Sequence, residues 1–209
     1  VVRGSNSAAY GSNAFLGVVN IITRHTGAED RSAVAVNVGD HGIADVDARI
    51  VSRQGPLGLR LTARHYEDDG MSGLNDGRRA NILNLRGDLR LSDVDEIDFT
   101  AGVSEERDQR GYAGMPFDTD RERETRRNDD TMHLRWRHSP STDEEWSLSW
   151  YRTRGDLRDD WQVDSRANLP ARLLPLLATL PALRASVSNS LESVRNNVEL
   201  QHRFVAAKD

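Results

Sequence analysis

Period-two alternation of apolar and polar residues is the feature that most constrains this chain. In the clearest segment, Leu83, Leu85 and Leu89 fall on one face of a strand, whereas Arg86 and Asp88 fall on the other. Successive side chains of a β-strand point to opposite sides of the sheet. The pattern recurs in eight segments of about ten residues, the length of a transmembrane strand, at 32–39, 43–53, 59–67, 81–91, 97–107, 130–138, 146–155 and 194–205. The sequence therefore predicts eight strands, each with one apolar and one charged face.

Short and long connections alternate between these predicted strands. After the short turn at 40–42, the short connections are 54–58, 92–96 and 139–145, and the long ones are 68–79, 108–128 and 156–193. Transmembrane barrels have short turns on one side and long loops on the other, whereas a soluble antiparallel sheet gives the side-chain alternation alone. The fold class predicted is all-β: a transmembrane antiparallel β-barrel fragment of about eight strands. Three tryptophans near strand ends, where an aromatic girdle is expected, are Trp136, Trp146 and Trp150.

Composition excludes several other classes of protein. The net charge is −5, with 33 acidic and 28 basic residues, so the chain lacks the basic surface that binding to nucleic acid favours. There is no cysteine, and hence neither a disulfide framework nor a thiolate metal site. No apolar run approaches the roughly 20 residues of a membrane-spanning helix. Nucleic acid is therefore not among the expected partners.

The N-terminal stretch carries a family resemblance. It reads VVRGSNSAAYGSNAFLGVVNIITR and joins a polar, glycine-containing turn region to a β-branched run that indicates a buried strand. This layout closely resembles the C-terminal end of the plug domain of TonB-dependent outer-membrane receptors, where Arg-Gly, Ser and Tyr-Gly precede a Gly and an Asn-Ile-Ile-Thr ending. The matching residues, interpreted as structural, are Arg3, Gly4, Ser7, Tyr10, Gly11, Gly17, Asn20, Ile21 and Thr23.

The resemblance implies two domains and a direction for the strands. Residues 1–25 would end a plug domain, and residues 26–209 would form the incomplete N-terminal part of a barrel. Because the chain leaves a plug at the periplasmic rim, the short connections become periplasmic turns and the long ones extracellular loops. Eight strands close into a barrel filled by its own side chains, and plugged barrels have about 22 strands. We therefore expect an open, curved sheet.

The resemblance also implies a function. It points to energy-coupled uptake of a scarce nutrient, such as siderophore-bound iron, haem or cobalamin, across the outer membrane of a Gram-negative bacterium. The expected partners are the inner-membrane TonB complex, outer-membrane lipid and a small-molecule substrate, including an iron chelate. The expectation is a receptor and not an enzyme. The alternatives are an outer-membrane barrel adhesin or enzyme, and a soluble β-sandwich binding module in which Leu83, Leu85 and Leu89 face a second sheet.

The polar faces supply the candidate functional residues. Eight arginines should face the lumen, paired with neighbouring acids or with the plug, or lining the substrate path: Arg60, Arg64, Arg86, Arg90, Arg135, Arg137, Arg195 and Arg203. Candidates for ligand contact, placed in the predicted extracellular loops, are Arg110, Tyr112, Phe117 and Trp161. The leucine- and proline-rich stretch 168–186 predicts either a small core within its loop or an apolar lip over the ligand.

No pattern in the sequence indicates catalysis, a cofactor or a metal. The six histidines are scattered, and no pair of them has convincing ligand spacing. No nucleophile motif of the Gly-x-Ser-x-Gly kind occurs, and Gly17 is not followed by the Lys-Ser/Thr of a phosphate-binding loop. The sequence therefore predicts no catalytic residue, no metal ligand and no cofactor.

Overall fold

A computed structural model shows an all-β chain, as predicted. It describes residues 2–3, 17–18, 23–28, 31–111, 117, 119, 123–170, 172–173, 175 and 181–206. Eight antiparallel strands form one sheet in which sequence neighbours are also spatial neighbours. Their bounds are Ala33–Val38 (β3), Ala44–Gln54 (β4), Leu57–Asp68 (β5), Arg78–Arg90 (β6), Asp95–Arg110 (β7), Arg123–Ser141 (β8), Glu144–Asp164 (β9) and Arg184–Phe204 (β10).

Two smaller elements precede this sheet. Val2–Arg3 (β1) and Gly17–Val18 (β2) form a separate antiparallel pair, and Thr26–Ala28 is a single turn of 3-10 helix. Within the described residues, no helix has the length and apolar character needed to cross a membrane.

The large sheet is open, because β3 lies at one edge and β10 at the other. The prediction of an open sheet is therefore confirmed. All seven strand pairings between these edges are antiparallel, and both edges leave a row of backbone groups without a strand partner in the described part of the chain. This is the arrangement expected of part of a barrel wall.

The strand register sorts apolar and polar residues onto opposite faces. Leu61 lies opposite Leu85, which lies opposite Ala101, so apolar residues line up across strands. Arg86 and Asp88 lie on the other face of β6. The apolar face is covered by no second sheet in the described part of the chain, so the opposing sheet that a β-sandwich requires is not found there.

Burial follows the opposite rule from that of a soluble protein. Among the described residues, Ala80 is the one buried hydrophobic residue, whereas six polar or charged residues are buried. Large apolar side chains on the other face are exposed; Val103, Met132 and Leu134 are 55%, 52% and 46% accessible. A sheet that buries charged side chains and exposes leucine and valine has an apolar face suited to a non-aqueous environment.

The apolar residues form a belt that slants across the strands. The row that starts at Ile50 passes through Leu61 and reaches Met132 on β8, but it continues into Arg152 on β9 and Asn196 on β10. On β9 and β10 the apolar residues instead lie nearer the short turns. Strands of a barrel tilt by about 35–45° from its axis. Residues at one height along that axis are therefore not directly opposite one another, but are displaced along the chain from each strand to the next. The slant of the apolar belt is therefore explained by strand tilt.

The extent of two predicted long loops was wrong. Strand β7 runs to Arg110 and β8 starts at Arg123, while β9 runs to Asp164 and β10 starts at Arg184. Beyond the apolar belt both faces of β7 and β8 are polar, so the period-two signal vanishes there although backbone pairing continues. On β9 and β10 the apolar residues change faces instead, since Leu157, Trp161, Val187 and Leu191 lie on the same face as Asp159. The strands consequently project well past the belt on the side of the long connections.

The predicted short turn at residues 40–42 is confirmed. His41 and Gly42 have φ values of 59° and 71°, and the N–H of Gly39 donates to the carbonyl of Ile43 at 3.0 Å. Two successive residues with positive φ give a tight turn whose twist matches that of the flanking strands. This connection joins β3, the shortest strand of the large sheet, to the rest of that sheet.

Candidate functional site on the polar face

A buried ion pair lies on the polar face of β6, near the short turns. Arg86 and Asp88 are two residues apart on one strand and therefore point the same way. The Arg86 Nη2 donates to Asp88 Oδ1 at 2.6 Å, and Nε donates to Asp88 Oδ2 at 3.1 Å. Their side chains are 10% and 1% exposed. Buried charges persist only with partners, and here the two charges satisfy each other in a fork-to-carboxylate geometry.

The chain segment 23–28 is docked on this ion pair. The backbone N–H of Thr26 donates to Asp88 Oδ2 at 2.8 Å. The Arg86 Nη1 donates to the hydroxyl of Thr23 at 2.5 Å. Thr26 is almost fully buried, with 1% of its surface accessible. Asp88 thus acts as a cap that holds the 3-10 turn against the sheet.

Two further arginines hold the same segment through its carbonyls. The Arg53 Nη2 donates to the carbonyl oxygens of Thr26, at 3.0 Å, and Gly27. The Arg60 Nη1 donates to the carbonyl oxygen of Arg24 at 3.2 Å. Carbonyls that would otherwise lose water on docking are satisfied in this way. Side chains of β4, β5 and β6 therefore hold the segment against the sheet.

A glycine on β5 makes room for the docked segment. A Cβ placed on Gly58 would lie 2.2 Å from the Thr26 hydroxyl oxygen and 3.0 Å from its Cβ. Real Cβ atoms do not approach so closely, and neither atom is the flexible end of a long side chain. The close approach of residue 26 to the sheet thus depends on the absence of a side chain at position 58.

Neighbouring charges on the polar face are paired as well. Asp98 is buried at 3% and accepts from Arg135 Nε at 2.8 Å, with His133 Nδ1 3.7 Å away. The Arg137 Nη2 donates to Glu96 Oε2 at 3.2 Å. Other ion pairs on this face are Arg64 with Asp47 and Arg203 with Glu145. For these residues, the prediction that wall arginines pair with wall acids is confirmed.

One cluster has the residue types of a metal site. Donor atoms of His25, Asp88 and Glu96 lie within 4.8 Å of one another, and His25 Nε2 is 2.9 Å from Glu96 Oε1. Both oxygens of Asp88 already accept from Arg86, and an arginine also binds Glu96. A divalent cation would have to displace these guanidinium groups. We therefore interpret the cluster as part of the ion-pair network, which the sequence concealed because its members lie on three separate elements.

The opposite end of the polar face carries a second arginine cluster. The Arg123 Nε donates to Asp159 Oδ1 at 2.9 Å, and these side chains are 15% and 12% exposed. The guanidinium carbon of Arg123 lies 4.8 Å from the ring centre of Trp161, a cation–π distance. Arg110 is the backbone partner of Arg123 across β7 and β8. Two of the four predicted ligand residues, Arg110 and Trp161, therefore flank Arg123.

Phe117 reaches the same end of the sheet. It has a φ of 66°, its N–H donates to the carbonyl of Ala167 at 3.0 Å, and its carbonyl accepts from the N–H of Asp164 at 2.9 Å. The N–H of Thr119 donates to the carbonyl of Gln162 at 3.1 Å. The Phe117 side chain is 50% exposed. We call the set Arg110, Phe117, Arg123, Asp159 and Trp161 the mouth cluster.

The predicted location of two ligand candidates was wrong. Arg110 is the last residue of β7, and Trp161 lies within β9, so both sit on strands and not in loops. Tyr112 lies outside the described residues. Sequence reasoning missed Arg123 and Asp159, because Arg123 lies where no alternation marks a strand and Asp159 was expected to lie in a loop.

The plug motif is described in part. Arg3 pairs with Gly17 through the backbone, and Thr23 belongs to the docked segment. The boundary predicted between residues 25 and 26 stays a prediction. The motif residues outside the described part of the chain are Gly4, Ser7, Tyr10, Gly11, Asn20 and Ile21.

The open sheet, the exposed apolar belt and the ion-paired polar face together define a part of a β-barrel wall. The chain is similar to the ferric enterobactin receptor of Pseudomonas aeruginosa, with 28% identity over 178 residues. The alignment covers 83% of this chain and 21% of the receptor, so the chain spans about a fifth of that relative's length. No model of a protein family matches the chain, and no solved structure matches it. The similarity supports the general class of outer-membrane receptor.

Proposed function

We propose that this chain is part of a TonB-dependent receptor in the outer membrane of a Gram-negative bacterium. Residues 1–25 would end its plug, and residues 26–209 would form the first part of its barrel wall. The observation that carries the proposal is the reversed burial, with Leu83, Val103 and Leu134 exposed and Arg86 and Asp88 buried. A sheet with lipid on its apolar side and polar groups on the other accounts for this distribution.

The proposed activity is uptake of a scarce nutrient, driven by the inner-membrane TonB complex. The relative's name indicates a ferric siderophore, and haem, another iron chelate or the cobalt-containing cobalamin suits the same class of receptor. No catalysed reaction is proposed. The docked segment 23–28 supports the proposal because it ties the chain that precedes it to the polar face, where a plug would lie.

The mouth cluster, together with Tyr112, is the proposed point of ligand contact. Arginine donates bidentately to carboxylate and other anionic oxygens, and indole and phenyl rings stack on flat apolar groups. Trp161 and Phe117 lie at the end of the sheet with the long connections, which faces the outside in this orientation. A bulky anionic chelate is the ligand class that this set suits best.

Cysteine accessibility in membranes tests the barrel proposal. The full-length protein carrying this chain would receive single cysteines at Leu83 and Leu134 on the apolar face, with Ser72 in the connection 69–77 as the control. We expect a water-soluble maleimide to label Ser72→Cys in whole cells and to leave the other two unlabelled, while a lipid-soluble maleimide labels them. Labelling of both apolar positions from water would contradict the proposal.

Growth on defined sources of iron or cobalamin tests the uptake proposal. A strain that depends on the full-length protein would be grown on ferric enterobactin, other iron chelates, haem and cobalamin, with and without an intact TonB complex. We expect at least one of these to support growth only when both the protein and TonB are present. Growth that is independent of TonB would contradict energy-coupled uptake and favour a passive barrel.

A further inference from the structure

A row of aromatic and acidic residues crosses four strands at the short-turn end of the apolar face. Asp95, His138, Trp146 and His202 lie directly opposite one another on β7, β8, β9 and β10. One position nearer the belt, Trp136 and Leu148 are also cross-strand partners. The row therefore borders the apolar belt, at the height where a membrane's headgroups begin.

The same chemical unit occurs twice in this row. Trp136 Nε1 donates to Asp95 Oδ1 at 3.1 Å, and His138 Nδ1 lies 2.9 Å from that oxygen. Trp146 Nε1 donates to a second carboxylate, Glu144 Oε1, at 3.1 Å, and His202 Nε2 lies 3.1 Å from it. Each carboxylate is thus held between an indole and an imidazole. The girdle cluster comprises Asp95, Trp136, His138, Glu144, Trp146, His202 and Phe204.

Rings in the girdle cluster are stacked in a line. The Trp146 and His202 rings have centres 3.7 Å apart and planes at 10°, and the rings of His202 and Phe204 are 4.9 Å apart. Stacking holds the rings in place beside the carboxylates. The carboxylates nevertheless remain at the surface, since the Glu144 side chain is 42% exposed. An acid beside fixed aromatic rings is a setting that attracts a cation.

Charge on the apolar face differs between its two ends. From Leu134 to the short turns, the described strands place no arginine or lysine on this face, so the carboxylates Asp95 and Glu144 have no arginine beside them there. Toward the long connections the same face carries arginines together with carboxylates that pair with most of them; the arginines are Arg79, Arg107, Arg126, Arg152, Arg154 and Arg158. The short-turn end is therefore suited to a positively charged headgroup and the other end is not.

We propose that the girdle cluster binds the ammonium headgroup of phosphatidylethanolamine. This inference rests on the proposed membrane location. A primary ammonium has three N–H donors, and an ionised carboxylate has room for several hydrogen bonds. The lipid's ammonium lies against a carboxylate of this row, Asp95 or Glu144, beside the stacked rings, and its acyl chains lie on the belt at Ile97, Leu148 and Leu200. The occupant follows from the acidic, aromatic character of this row and its continuity with the belt.

Lipid binding to the purified full-length protein tests the proposal. Delipidated protein would be titrated with phosphatidylethanolamine or phosphatidylglycerol of identical acyl chains, and bound lipids counted by native mass spectrometry. We expect phosphatidylethanolamine to bind about three- to tenfold more tightly, the range expected of an exposed cation–π contact with a carboxylate nearby. Equal binding of the two lipids by the unmodified protein would overturn the proposal without any mutation.

Adjacent glutamates on β9 provide a matched pair of variants. Glu144 lies in the girdle cluster, whereas Glu145 points to the polar face and pairs with Arg203 at 3.3 Å. We expect Glu144→Gln with Asp95→Asn to abolish the preference for phosphatidylethanolamine and Glu145→Gln to preserve it. If Glu145→Gln has the same effect as the double variant, the preference arises elsewhere and the proposal fails.

Folding and location are measured on the same samples. Heat-dependent mobility on gels reports a folded barrel for each variant, and membrane fractionation reports its location. A protein that fractionates with the outer membrane but shows no preference for phosphatidylethanolamine removes only this inference. A protein that is absent from the outer membrane removes the proposed function as well.

Discussion

The two ends of the polar face use arginine in different ways. Near the short turns, Arg86 is buried and directs its guanidinium to Asp88 and to the docked segment. At the long-connection end, Arg123 also has a carboxylate partner, but it lies beside Trp161 and near the half-exposed Phe117. The first arrangement is closed by the protein's own groups. The second combines a guanidinium with accessible aromatic surface, which is what a ligand needs.

This difference separates structural from functional charge on one sheet. Removal of a closed pair should reduce stability, because its partner is left buried without compensation. Removal of an aromatic residue of the mouth cluster, Trp161 or Phe117, should weaken ligand binding and have little effect on stability. Four variants of the full-length protein test the distinction, and they are given in order of decreasing expected effect.

Asp88→Ala should have the largest effect. It leaves the buried Arg86 guanidinium without its carboxylate partner and the N–H of Thr26 without an acceptor, and loss of one partner of a buried pair costs about 3–5 kcal/mol. The midpoint of urea unfolding in lipid vesicles measures it. Asp47→Ala is the control, because Asp47 and Arg64 are 35% and 45% exposed and their pair should contribute less than about 1 kcal/mol. Equal losses in both variants would show that the Asp88 pair is not a special anchor.

Gly58→Ala should come next, with a loss of about 1–3 kcal/mol from overpacking. Its Cβ would lie 2.2 Å from the Thr26 hydroxyl oxygen. Protease sensitivity near residues 23–28 should rise, because the segment must leave the sheet. Thr26→Ala removes the clashing hydroxyl and should restore part of the stability in the double variant. If Gly58→Ala alone leaves sensitivity unchanged, the segment does not depend on this close approach.

Trp161→Ala should weaken ligand binding about tenfold with little change in the unfolding midpoint. It removes the ring that stacks on Arg123 and lies at the mouth, and stacked aromatic contacts contribute about 0.5–1.5 kcal/mol. Binding of the iron chelate that supports growth gives the measurement. Trp150→Ala, a change on the apolar face, is the control for loss of an indole. The opposite result, with lower stability and normal binding, would assign Trp161 a packing role.

Arg154→Gln should have the smallest effect. Arg154 pairs with Glu192 at 2.9 Å on the apolar face, but the side chains are 49% and 56% exposed. Exposed pairs contribute less than about 1 kcal/mol, and many contribute nothing measurable. The unfolding midpoint and ligand binding should both match those of the unmodified protein. A clear loss of stability or of ligand binding would show that exposed arginines at this end contribute to folding or to the ligand site.

The sequence predicted the fold well where lipid-facing and polar residues alternate. Leu83, Leu85 and Leu89 defined a strand because only the period of two places them on one face. The same rule failed around Arg123, where both faces of the strand are polar, and around Asp159, where the apolar residues Leu157 and Trp161 have changed to the other face. Strand pairing there depends on the backbone, which carries no side-chain signal.

Contacts between distant parts of the chain could not be predicted either. The turn at Thr26 meets Asp88 across 62 positions, and His25 meets Glu96 across 71. Neither pair has a local spacing that the sequence could display. The resemblance at the N-terminus indicated that a segment should leave a plug there, but not which wall residues hold it.

The hold on residues 23–28 has a mechanical consequence. Tension applied to the chain before Thr23 is resisted by hydrogen bonds from Arg86, Arg60, Arg53 and Asp88. These bonds attach to neighbouring residues of a short segment. A pull directed along the segment loads these bonds together. Because they end on three strands of the sheet, the load spreads over the wall and little of it reaches the hairpins beyond. The preceding chain can therefore be pulled while its point of attachment stays fixed.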